Sequence, residues 1–116
     1  MQNHDPNEQF EKWQLQLRKG VLIYMVLGLL KQKEMYGYAL ISALSKRLGA
    51  NMAEGTIYPL LNRLVRSGML NFDWRIMESG PARKYYRINK SGHQLLKRMH
   101  DHWQNVNLGL QGLEDD

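Results

Sequence analysis

A mainly α-helical fold with one small β-hairpin, a winged helix-turn-helix with long N- and C-terminal dimerisation helices, is predicted by three features of this 116-residue chain. Residues 55–70, GTIYPLLNRLVRSGML, have the period of an amphipathic helix that stops at a glycine and runs into a strand. Residues 80–86, GPARKYY, read as a tight turn feeding a basic, aromatic strand. Long helical patterns precede and follow this core.

The elements follow in order. Residues 1–7 read as a flexible N-terminus, with Asp5 a possible N-cap and Pro6 suited to open a helix. Residues 8–33 form the first helix, with Phe10, Trp13, Leu17, Val21, Tyr24 and Gly28 on one stripe. Beyond Val21 it is apolar on nearly every side, which is hard for a chain this short to cover alone, so a partner subunit is the natural cover. A break at Glu34–Tyr36 leads to a second helix, Gly37–Leu48, with Leu40, Ile41, Leu44 and Leu48 inward and Gly49 as its stop. The third helix begins near Ala53, with Asn51 or Ala53 as N-cap and Asn51/Glu54 resembling a capping box. Its inward residues are Ile57, Leu61, Leu64 and Val65, Pro59 falls close enough to its start to be tolerated, and Gly68 closes it.

Leu70, Phe72, Trp74 and Ile76 alternate with polar residues, as in a strand with one buried face. Glu78-Ser79-Gly80-Pro81 is turn chemistry, and Arg83–Asn89 returns. The helix-turn-helix and wing thus span residues 37–89 of a single domain, 8–116. Asn89 or Ser91 caps a last helix, residues 90–113, whose stripe Leu95, Leu96, Met99, Trp103, Val106, Leu110 and Leu113 has heptad-like spacing suited to coiled-coil packing. The expected dimer interface takes Phe10, Trp13 and Val21 from the first helix and Leu95, Met99, Trp103, Val106 and Leu110 from the last.

Composition narrows the chemistry. With no Cys there are no disulfides, thiolate metal sites or cysteine nucleophiles, which fits a cytoplasmic protein. Val21–Leu30, the most apolar run, falls short of the roughly 20 residues that span a bilayer, so no membrane is expected. Charge is uneven. Residues 63–98 carry nine basic and two acidic side chains, whereas residues 99–116 carry four acids and no Lys or Arg. A localised basic patch is the footprint of a polyanion, here double-stranded DNA. The acidic tail, Glu114-Asp115-Asp116, reads as a solvated end.

In a helix-turn-helix the second helix enters the major groove with its N-terminal residues nearest the bases. Thr56, Tyr58 and Asn62 are the candidates for bases or adjacent backbone, since Asn pairs bidentately with adenine and hydroxyls reach phosphate. Arg63 and Arg66 are candidate phosphate contacts, and Tyr38 joins this set. Arg75, Arg83 and Lys84 extend it along the wing, with Arg83 and Lys84 beside the Gly-Pro turn placed to reach a flanking phosphate or minor groove. Tyr85 and Tyr86 point to opposite faces, one to the core. No P-loop, dinucleotide fingerprint or nucleophile elbow is present, so neither catalytic residues nor a cofactor are expected. His100, Asp101 and His102 lie on different faces of one helix and cannot readily share a metal.

The YG at Tyr36-Gly37, GTIYPLLNRL at 55–64, the SGML after it, and RKYYRINKSGHQLL at 83–96 resemble the PadR family of bacterial transcriptional regulators. The resemblance covers roughly residues 20–100 in order and spacing, and the single C-terminal helix is similar to the small subfamily. It implies a homodimeric winged-helix repressor binding a pseudo-palindromic operator, often over phenolic-acid or multidrug stress genes, with the first and last helices as dimer interface. It also implies an apolar interface cavity for a flat aromatic effector, which Leu17, Tyr24, Met99, Trp103 and Asn107 would line; plain dimer core is the competing reading of the same residues. Ala53 departs from the pattern, standing where many members offer a polar cap. The alternatives are a non-specific DNA-coating protein, a metal-responsive winged-helix regulator with a metal held across the dimer, and a protein-interaction module.

Overall fold

The computed structural model describes residues 4–76, 78 and 80–114. Its elements are α1 (Pro6–Gln32), β1 (Met35–Tyr36), α2 (Gly37–Leu48), α3 (Glu54–Arg66), β2 (Leu70–Arg75), β3 (Arg83–Ile88) and α4 (Lys90–Leu110). The strands form one antiparallel sheet in the order β1-β3-β2. This is the expected architecture: mainly helical, with a hairpin wing after the helix-turn-helix. Ser79 of the expected turn, and Asp115 and Asp116 of the tail, lie outside the described residues.

The first helix starts at Pro6 rather than Glu8. Asp5 accepts a hydrogen bond from the Asn7 amide at 2.9 Å, and proline's fixed φ suits the first turn. Its buried residues are Leu22, Val26, Leu27, Leu29 and Leu30, so the chain itself covers much of the apolar stretch expected to need a partner, whereas Phe10, Trp13 and Leu17 of the expected stripe are 54%, 57% and 41% exposed. Among the described residues nothing covers Phe10 and Trp13, and α4 shields Leu17 only in part, so these apolar residues face outward. Val21, Tyr24 and Gly28 are half-buried.

Between α1 and α2 the sequence suggests only a break, yet Met35 and Tyr36 pair with Tyr86 and Tyr85 of β3. Two residues are too few to show a strand period. Helix α2 has the expected bounds, buries Leu40, Ile41 and Leu44, and closes at Gly49 in the left-handed region. The turn into α3 is held by Ser45, whose Oγ donates to the Ile41 carbonyl and accepts from the Met52 amide. The Asn51/Glu54 capping box does not form: Ala53 is the N-cap and contributes no side-chain bond. Helix α3 buries Leu60 along with the expected Ile57, Leu61 and Leu64, while Val65 is half-buried. It closes with the Gly68 amide on the Val65 carbonyl and the Met69 amide on Leu64, the paired bonds of a Schellman motif.

The expected buried face of β2 holds only at its start. Leu70 is 2% exposed and Phe72 half-buried, but Trp74 is 63% and Ile76 88% exposed. The hairpin runs past the end of the core, so the same alternating face passes from protein to solvent. Of the two tyrosines, Tyr86 is the core residue, and the Tyr85 ring meets that of Tyr36 at a tilt, 5.6 Å between centroids. Asn89, rather than Ser91, caps α4 by accepting from the Gly92 amide. That helix stops at Leu110, short of Leu113. It packs back on α1, where Tyr24 and His100 Nδ1 share a 2.9 Å hydrogen bond and the Tyr24 and Trp103 rings lie 6.5 Å apart. Leu96 is buried and Leu95, Met99, Trp103 and Val106 are half-buried, but Leu108, Leu110 and Leu113 are exposed. No helix among the described residues is long and apolar enough to cross a membrane.

Candidate nucleic-acid interface

Helix α3 and the β2–β3 hairpin enclose a concavity of about 370 Å³. Tyr38, Tyr58 and Asn62 line it from the helices, and Trp74, Arg83 and Lys84 from the wing. The fold thus brings together five of the sequence-predicted contacts and adds Trp74, which had been expected in the core. Tyr38 is 61% exposed. Tyr58 is fixed by its neighbours. Its ring lies against Gly37, where a Cβ would come within 2.5 Å of Tyr58 Cε1, so glycine there lets the α3 tyrosine seat on the start of α2. Burial first, then proximity to Tyr58, pushes the Tyr86 hydroxyl above its ordinary range and keeps it neutral.

Asn62, Arg63 and Arg66 are exposed on α3. Thr56 is exposed too, but it lines a separate hollow of about 220 Å³ with Arg18 and Lys19 of α1. The contacts of α3 therefore face two ways, toward the wing and toward α1.

The wing cations differ in what already holds them. Arg75 donates from Nε to Asp73 at 3.0 Å and from a terminal nitrogen to Glu34, and its guanidinium lies 4.4 Å from the Tyr85 ring centroid. The Asp73 hydrogen bond, then that of Glu34, raises its pKa and holds it charged. Arg87 donates to the other Asp73 oxygen at 2.6 Å. Arg75 is thereby tied to the link between α1 and β1, and two carboxylates offset its charge. Arg83 instead lies over the Tyr36 ring at 4.7 Å, and Lys84 Nζ lies 4.1 Å from the Phe72 centroid. Among the described residues, Arg63, Arg66, Arg83 and Lys84 pair with no carboxylate. These four are positive charges that α3 and the wing can offer a polyanion.

Leu17, Tyr24, Met99 and Trp103 share an apolar groove of about 300 Å³ between α1 and α4. Asn107 is not among its lining residues. A second groove of about 320 Å³ continues past Tyr24 and Trp103, and Arg47 is its one charged wall residue. No group of three or more His, Asp or Glu among the described residues is arranged to hold a metal.

Residues 26–98 match the Transcriptional regulator PadR-like family. The chain belongs to that family. A PadR-like transcriptional regulator from Bacillus cereus, solved by crystallography, superposes with a TM-score of 0.79 at 34% identity, covering 87% of this chain and 98% of that one. The negative transcriptional regulator PadR of Bacillus subtilis is 35% identical over 78 residues, covering 66% of this chain and 43% of that protein. The structure of Bacillus subtilis PadR in complex with operator DNA superposes with a TM-score of 0.62 at 33% identity, covering 68% of this chain and 46% of that one. The chain thus spans less than half of that longer PadR protein. PadR-like proteins are transcriptional regulators, not enzymes, and the winged-helix fold is common to them and this chain.

Sequence reasoning missed three features of this PadR-like face. The Gly37–Tyr58 contact joins residues too far apart in sequence for any periodicity to pair them. Trp74 has an apolar identity and the right strand parity for a core position, and only the length of the hairpin shows that no core lies beneath it. The capture of Arg75 did leave a signal, because Asp73 two residues earlier projects from the same strand face.

Proposed function

We propose that the chain is a homodimeric PadR-like repressor that binds a pseudo-palindromic DNA operator through α3 and the wing. The observation carrying this reading is the concavity between them, where Tyr38, Tyr58 and Asn62 meet two cations that pair with no carboxylate among the described residues. The named relative, a negative regulator, and the operator-bound PadR structure support both the polarity of control and the ligand. The exposed apolar residues at the free end of α1 and along α4 support a second copy of the chain as their cover, and two copies would set two α3 helices about one helical turn of DNA apart. The groove walled by Leu17, Tyr24, Met99 and Trp103 is suited to a small aromatic effector at that interface. Such a ligand regulates only by binding the DNA-incompetent arrangement more tightly.

In this reading Asn62 reads a base. A duplex selected from a random library with the parent protein provides the probe. Asn62→Ala should lose on the order of 10-fold affinity for that duplex and little for random DNA, as expected for a lost bidentate base contact. Equal losses on both duplexes would remove Asn62 from base readout.

A further inference from the structure

We infer that Trp74 is a DNA contact in its own right: its indole packs on the deoxyribose of the backbone strand that Lys84 and Arg83 hold at the wing. This rests on the DNA-binding reading above and assigns a residue to it. Three observations place the indole there. Trp74 is a large aromatic left 63% exposed, on the same strand face as the buried Leu70 and half-buried Phe72, so the hairpin presents an apolar surface that the described residues leave uncovered. It lines the concavity that also holds Tyr38, Tyr58 and Asn62. Directly across the ladder it pairs with Lys84, whose ammonium lies 5.6 Å from the Trp74 ring centroid and 4.1 Å from that of Phe72.

The chemistry of these neighbours selects the occupant. A protein partner for an exposed indole would ordinarily meet an apolar surround. Here the aromatic surround also carries two cations, Lys84 and Arg83, which pair with no carboxylate among the described residues. A nucleic-acid backbone offers both complements at close spacing, an apolar sugar face for the ring and phosphates for the ammonium and guanidinium. The Phe72 ring stands edge-on to Trp74 at 6.4 Å between centroids. A sugar contact is neutral and carries no sequence information.

The test uses the full chain, anisotropy with the selected duplex and with random duplex, and intrinsic fluorescence. The parent should show tryptophan quenching on binding either duplex. Trp74→Ala should lose about 5- to 20-fold affinity on both, the lower part of the range for removing an aromatic that stacks on a base. Its salt slope should stay at the parent value, because no phosphate contact is removed. Trp74→Phe should retain most affinity but lose the DNA-dependent quenching. The site is exposed, so both variants should melt with the parent. Affinity within twofold of the parent for Trp74→Ala would overturn the assignment, as would a loss confined to the selected duplex or quenching that persists in Trp74→Phe. A parent that binds neither duplex would instead refute the DNA-binding function itself.

Discussion

Replacing Gly92 by alanine is expected to destabilise the fold by about 2–3 kcal/mol, the upper part of the range for forced overpacking. Gly92 is the third residue of α4, buried where that helix crosses the strand ends. A Cβ there would lie 2.3 Å from the Met69 carbonyl oxygen and 2.6 Å from Ile88 Cγ1. The first is backbone, fixed by the C-terminal closure of α3, so it cannot swing aside as a side-chain end can. The Gly92 amide also donates to Asn89 Oδ1 and completes the cap of α4. Relief of the clash would therefore shift the helix off the sheet and break its cap. The comparison is Gly55→Ala in α3, where an added Cβ meets open space and helix propensity favours alanine by up to about 1 kcal/mol. Urea unfolding of both variants checks this: equal midpoints would mean that the α4–sheet junction is slack enough to admit a Cβ at Gly92.

Removal of Arg63 should have the largest effect on DNA binding. This arginine is exposed on α3 without a carboxylate partner among the described residues, so its loss costs the fold little, within about 0.5 kcal/mol. Each phosphate contact contributes about 0.9 to the slope of log K against log salt on duplex DNA. A homodimer carries the residue twice, so Arg63→Ala should flatten the slope by about 1.8, whereas a monomer would lose about 0.9. Affinity should fall on the order of 10- to 100-fold on selected and random duplex alike. Arg75→Ala is the informative contrast. Asp73 and Glu34 already hold its charge, so the slope should change much less. A titration series at several salt concentrations separates these results. An unchanged slope for Arg63→Ala would mean that α3 does not approach phosphates at this position.

How far the sequence foretells this structure depends on how local the cause is. The bounds of α2 follow from a repeating apolar stripe and a glycine stop, both visible within one stretch of chain, and the structure reproduces them. The wing is legible for the same reason, through alternation and turn residues. The two-residue strand β1 is not, because its only cause is the β3 edge some fifty residues away. The stripe on α1 illustrates a different limit. Periodicity locates apolar faces without saying what covers them, and the face through Phe10 and Trp13 points out of its own chain. In the candidate site, residue types pointed to Tyr38, Tyr58, Asn62, Arg83 and Lys84, which share one concavity. They did not distinguish Arg83, which stays available, from Arg75, which the protein's own acids hold. A count of charges along the chain treats the two alike; their neighbours in space separate them.

The most direct test is fluorescence anisotropy of the purified protein against duplex from the region upstream of its own gene and against a scrambled duplex, each at two salt concentrations. A sequence-specific regulator acting through α3 and the wing should bind the upstream duplex on the order of 10³-fold more tightly than the scrambled one, and both should weaken as salt rises. Binding that is equal for the two duplexes, or absent from both, would contradict it.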